Sequence, residues 1–170
     1  MQRLANTGRR KRVLVSLLTG GNTIIFFDWI LNMNITDTIT SQIVPEADRM
    51  DFVDRLFGMN FPMRLEPAVF NMAGMLAAEY NGGYWQFYSL SNGGFYMAPS
   101  ANTIFDVSCD NGFEGKLSAD ALGIAACIYA YSHLSFREDA FGQTCARHYH
   151  WLRQFATEHA EVRSILQATD

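Results

Sequence analysis

Along residues 45–80 the apolar positions recur at helical spacing. Pro45-Glu46-Ala47-Asp48 opens a first helix, because proline fits a first turn and acids favour the positive end of the helix dipole. Met50, Val53, Leu56 and Phe57 give that helix one apolar face, and Gly58 stops it. A second helix starts near Glu66-Pro67. Its positions Leu65, Val69, Met72, Leu76 and Tyr80 step by four, three, four and four residues, which draws one helical face. Asn81-Gly82-Gly83 ends it. Ahead of both helices, Thr36–Ser41 is polar and β-branched, a loop or short edge strand.

The period then changes from 3.6 to 2. Tyr84–Leu90 and Phe95–Ala98 read as strands, separated by Ser91-Asn92-Gly93-Gly94. Asn-Gly favours a tight type I′ hairpin turn, whose two central residues both take positive φ. A turn centred on Asn92-Gly93 would pair Leu90 with Phe95 and Tyr88 with Met97 on one face. Ser89 would pair with Tyr96, and Phe87 with Ala98, on the other. Pro99 ends the second strand. Thr103–Cys109 predicts a third, and Asp110-Asn111-Gly112 turns the chain into a short strand over Phe113–Leu117. Ser118-Ala119-Asp120 caps a helix running to about Ser135. The uncharged interior of that helix, Ala121–Tyr131, marks it as the central buried element. Glu138–His159 reads as a last amphipathic helix with Phe141, Cys145, His148, Leu152, Phe155 and His159 on one face, followed by a short tail with Val162, Ile165 and Leu166. The order predicts an α+β fold: a small antiparallel meander of three to four strands packed with about four helices.

Charge divides the chain unevenly. Residues 1–12 hold Arg3, Arg9, Arg10, Lys11 and Arg12 and no acid, which leaves −9 on the other 158 residues of a chain whose total is −4. The stretch Val13–Leu31 has twelve large apolar residues and the outline of a signal peptide or membrane span. Gly20-Gly21-Asn22-Thr23 interrupts it, and Asp28 would cost about 3 kcal/mol in a bilayer. Residues 1–32 are therefore read as an N-terminal extension and 33–170 as a single domain, not tied to a membrane. Three cysteines, at 109, 127 and 145, are too few for a disulfide framework and fit a reducing, cytoplasmic setting.

The residues offer little chemistry. There is no Cys-x-x-Cys or His-Glu-x-x-His pattern, and His148 and His150 would point about 200° apart on a helix. Neither a metal nor a cofactor is expected. No Gly-x-Ser-x-Gly elbow occurs, and the cysteines lie in apolar surroundings where a thiol is inert. Trp85, Tyr88, Phe95 and Tyr96 would serve as stacking platforms for nucleic acid if exposed. Beyond residue 12, however, only eight basic residues face seventeen acids, so strong intrinsic DNA binding is not expected. Seventeen scattered acids are also too few for a lattice that imitates DNA phosphates.

The segment from Gly82-Gly83-Tyr84-Trp85 through Ser91-Asn92-Gly93-Gly94-Phe95-Tyr96 to Pro99 resembles the signature of the ArdB/KlcA antirestriction family. Val44-Pro45-Glu46, Arg49-Met50 and Phe57-Gly58 are similar to its N-terminal portion. The likeness runs from about Thr40 to about His159, whereas residues 1–32 depart from it. It implies a small protein of plasmids and other mobile elements, which the missing nucleophile, metal and cofactor motifs make a non-catalytic one. Such a protein shields incoming DNA from cleavage by host type I restriction–modification enzymes, meeting the enzyme directly or through its DNA complex, and does not imitate DNA. The alternative is an enzyme of unknown reaction that relieves restriction indirectly. The resemblance carries no catalytic residue. Trp85, Tyr88, Asn92, Gly93, Phe95 and Tyr96 are the motif positions that would offer an interaction surface where exposed, although aromatic residues without interleaved Arg or Lys are more often core.

Overall fold

The computed structural model describes residues 38–170; the expected extension, residues 1–32, lies outside them. Five helices and five strands follow one another as β1 (Ser41–Ile43), α1 (Arg49–Phe57), α2 (Glu66–Leu76), β2 (Trp85–Leu90), β3 (Phe95–Pro99), β4 (Ile104–Ser108), β5 (Glu114–Ser118), α3 (Ala119–Ser135), α4 (Ala140–Ala156) and α5 (Val162–Thr169). The α+β class stands. The strands, however, divide into two antiparallel sheets, β1-β2-β3 and β4-β5, instead of one meander.

The division has a visible cause. The outer edge of β3, where a fourth strand would pair, is covered by α3. Cys127 Sγ lies 3.4 Å from Met97 N as acceptor and 3.5 Å from Met97 O as donor, and Tyr131 Oη donates to Phe95 O at 3.0 Å. Gly123 lets the helix backbone come this near: a Cβ there would sit 2.5 Å from Ala98 Cα and 2.6 Å from Met97 O. The helix is capped as its sequence predicts, Ser118 Oγ accepting from Ala121 N at 3.2 Å, and its interior is buried. Those helix side chains satisfy edge groups that would be costly if buried unpaired.

The first sheet is covered on both faces. Trp85, Phe87, Phe95 and Met97 point to the α1–α2 side, where Phe95 meets Phe57 edge-on at 5.7 Å and Phe87 meets Phe61 at 5.4 Å. Tyr88 and Tyr96 point to the other side, where Tyr96 stacks on Phe155 of α4 at 5.7 Å. These opposed layers make one continuous core.

The hairpin forms, with its register displaced by one residue. Tyr88 pairs with Tyr96, Phe87 with Met97 and Ser89 with Phe95. Of the turn residues only Gly93 has positive φ, +93°, and its N–H donates to Leu90 O at 2.9 Å. The loop is thus three residues long with glycine in the left-handed position, not a two-residue type I′ turn. Asn92 Oδ1 accepts from Gly94 N at 3.1 Å, a side-chain bond that substitutes for the tighter turn.

Other boundaries shift for local reasons. Gly58 ends α1 as expected, at φ +56°, but Met50 is exposed rather than part of the apolar face. A π-helical turn, Phe61–Leu65, precedes α2. Helix α2 stops at Leu76, because Ala77 is extended. Tyr80 therefore leaves the helical face and accepts from Trp85 Nε1 at 2.6 Å. Helix α4 ends at Ala156, so His159 follows it, and the apolar tail is the helix α5. Among the described residues no helix is long and apolar enough to cross a membrane.

Candidate interaction surface

The glycine-aromatic motif builds the hairpin and the loop entering it, and the fold buries most of its aromatic residues. Trp85, Phe95 and Tyr96 are core residues, so these three offer no interaction surface: both faces of β2 and β3 are packed there. Tyr88 is half-buried, its ring stacked on Tyr96 at 4.6 Å and 5°. Asn92 is half-buried too, donating from Nδ2 to Trp151 O at 3.0 Å. Gly93 is exposed beside the Trp151 ring. The tip of the hairpin is thus clamped onto α4.

What the motif leaves exposed lies at its other end. Tyr84 is half-exposed, with the Arg49 guanidinium 4.8 Å above its ring. Arg49 also lies 5.2 Å over Phe87, donates to Trp85 O at 3.0 Å, and bonds the Gln86 side-chain carbonyl. It thereby ties the first turn of α1 to the start of β2. Phe70, partly exposed on α2, meets the Trp85 ring at 5.2 Å. A cavity of about 270 Å³ opens beside Tyr84, lined by Tyr80, Asn81, Gly82, Gly83 and Phe105 among others. Gly82 and Gly83 have φ of +97° and +138°, and a Cβ at either would meet nothing. Backbone conformation, not crowding, requires glycine at both positions. Sequence reading placed Arg49 within the resemblance but gave no role to it, to Tyr84 or to Phe70. Their aromatic and cationic character was the available signal.

A polar cluster absent from the sequence expectations joins α3 to the segment after α4. Asp120 accepts from Tyr96 Oη at 3.0 Å and lies 3.1 Å from His159 Nε2. Glu161 N donates to His159 Nδ1 at 3.0 Å, so the neutral ring carries its proton on Nε2 and donates it to Asp120. Glu161 Oε2 in turn accepts from Ser118 N at 3.0 Å. Burial and the neighbouring Asp120 push the Tyr96 hydroxyl far above its ordinary value. Both carboxylate oxygens and both ring nitrogens are engaged, so the cluster clips α3 to the segment after α4.

The cysteine thiols and His148 are held toward their neutral forms. Burial pushes the Cys127 and Cys145 thiols up to about 12, and raises Cys109 as well. His148 lies among the rings of Phe57, Tyr131 and Trp151, at 4.8, 5.4 and 5.2 Å, and burial lowers it to about 4. It is a neutral packed ring at physiological pH. Among the described residues no group of three or more His, Cys, Asp or Glu is placed to hold a metal ion.

The motif thus forms a stacked hairpin held between two helical layers, with the Arg49–Tyr84 pair at its base. The family model described as antirestriction protein matches residues 78–170. Antirestriction protein KlcA of Escherichia coli is 42% identical over 144 residues, spanning 82% of this chain and 99% of that protein. The uncharacterized protein YafX of Escherichia coli K12 is 39% identical over 137 residues, 78% of this chain and 88% of its own. A chain from the solved structure of the KlcA and ArdB proteins matches with a TM-score of 0.73 and 40% identity, covering 78% of this chain and 95% of that one. Those proteins are described as showing a novel fold and antirestriction activity against type I DNA restriction systems in vivo but not in vitro. This chain belongs to the antirestriction protein family.

Proposed function

We propose that this protein relieves type I restriction of incoming plasmid or other mobile-element DNA in the cytoplasm, as a non-catalytic inhibitor that does not imitate DNA. The observation that carries the reading is the likeness to KlcA and ArdB, at 40% identity over nearly the whole of that chain, with their type I antirestriction activity in vivo. Several features support the finer parts. The Asp–His–Tyr cluster is saturated, and the thiols are protonated. Three of the described acids are paired with cations: Asp106 with Lys116, Asp139 with Arg137, and Asp170 with Arg153.

The absence of activity in vitro for those relatives supports a target assembly that purified enzyme and DNA do not reproduce. Recognition is assigned to the exposed base of the hairpin, at Arg49, Phe70 and Tyr84. The test compares DNA cleavage by a purified type I enzyme with cleavage in an extract of the restricting host, each with this protein added. Relief in the extract alone is expected. Relief with purified enzyme would replace the reading by direct inhibition, and relief in neither would remove it.

A further inference from the structure

Among the described residues, no strand pairs with the outer edge of β4 in the β4–β5 ribbon. In its ladder Cys109 N donates to Phe113 O, and Ala119 N donates to Thr103 O. The odd-numbered positions of β4 therefore bond β5, while Ile104, Asp106 and Ser108 turn their N–H and C=O groups outward. One outward donor is met from within the chain: Glu79 Oε1 accepts from Asp106 N at 3.0 Å, in the place a neighbouring strand's carbonyl would take.

A groove of about 540 Å³ runs beside this edge, lined by Met75, Leu76, Ala78, Val107 and Lys116 among others. Met75 and Ile104 are exposed to 60% and 65%. Three acids, Glu79, Asp106 and Glu114, stand around the groove against one lysine, Lys116, which is paired with Asp106 at 2.6 Å, so an excess of two negative charges remains. We infer that the outer edge of β4 receives an extended, cationic segment of a partner protein, which adds a strand to the ribbon and lays alternate apolar side chains into the groove.

An unpaired edge supplies main-chain hydrogen bonds to an extended peptide, whose carbonyl would displace the Glu79 carboxylate from Asp106 N, and the side-chain pockets and rim charge select which peptide enters. A second copy of this chain fits poorly, because pairing β4 with β4 would bring Asp106 and Glu79 against their own equivalents. This inference does not rest on the antirestriction reading and survives its failure.

The probe is a labelled peptide of alternating valine and lysine, compared with one of alternating valine and glutamate. Binding is read by fluorescence anisotropy and by amide shifts in the full-length protein. The lysine peptide is expected to bind at least tenfold tighter than the glutamate peptide, shifting the amides of Ile104, Asp106 and Ser108. Ser108→Pro removes only an outward N–H and should weaken binding at least tenfold. The pair Asp106→Lys with Glu114→Lys leaves the backbone intact and should invert the preference between the peptides, whether or not the proline variant folds. Equal binding of the two peptides, shifts confined to other residues, or a dimer formed through β4 without peptide would each overturn the inference.

Discussion

Replacing Gly123 with alanine sets helix propensity against packing, and the two predict opposite signs. An exposed helical glycine gains about 1 kcal/mol on becoming alanine. At Gly123 the new methyl group would lie 2.5 Å from Ala98 Cα and 2.6 Å from Met97 O, and nearer still to Ala98 Cβ. Two of those atoms belong to the backbone and cannot swing aside, so α3 must move away from β3. Movement also loosens the Cys127–Met97 and Tyr131–Phe95 bonds, now 3.4 and 3.0 Å. Overpacking of this kind costs about 1–3 kcal/mol, occasionally more. Taking the upper end and subtracting the propensity gain leaves a loss of about 2 kcal/mol. For a domain of this size that is roughly a 6 °C fall in melting temperature. Ala98→Gly in the same chain removes one of the obstructing atoms and should restore part of the loss. The assay is thermal unfolding followed by circular dichroism. A melting temperature equal to or above that of the parent would refute the close approach of α3 to the sheet edge.

Acid should weaken the fold through His148. Its folded value is about 4 against 6.5 for the free side chain, so its contribution is complete above pH 6.5 and is lost as pH falls toward 4, by up to about 3 kcal/mol. Melting curves of His148→Leu should flatten over that window; an unchanged pH slope would assign the sensitivity elsewhere. Gly93→Val places a branched side chain at φ +93° and should cost about 1–3 kcal/mol, while Gly93→Asn should cost less; equal melting temperatures for the parent and the valine variant would contradict the turn. Tyr84→Ser with Phe70→Ser should reduce protection of infecting DNA while shifting the melting temperature by only about 2 °C, whereas a loss of protection that merely tracks unfolding would deny these residues a part in recognition. A chain beginning at Met33 should keep both its melting temperature and its protection, and aggregation of that shorter chain would show that residues 1–32 belong to the domain.

The elements whose signals are local were legible in the sequence. The Ser118 cap, the uncharged interior of α3 and the Gly58 stop each act within a turn or two, and each stands where it was read. The elements fixed by distant partners were not. Tyr80 continues the apolar spacing of α2, but the Trp85 indole and the Glu79 bond to β4 draw this segment into another conformation. Asn92-Gly93 announces a hairpin correctly, yet its register depends on Asn92 bonding both Gly94 and Trp151, and Trp151 is 59 residues away. The split into two sheets follows from one helix meeting a strand edge, a contact that no window of sequence contains. The motif Gly82–Pro99 identified the family, and its aromatic residues, which without interleaved Arg or Lys read first as core, are largely core; the base of the hairpin needs Arg49 from a different element.

The central claim is tested most directly by the plating efficiency of unmodified phage on a host carrying a type I restriction–modification system, with and without this protein expressed. The account predicts that expression raises plating toward the level of an otherwise identical host lacking the restriction enzyme, with the progeny phage still bearing the host's modification. Plating that stays at the restricted level, with the protein folded and present in the cells, would contradict it.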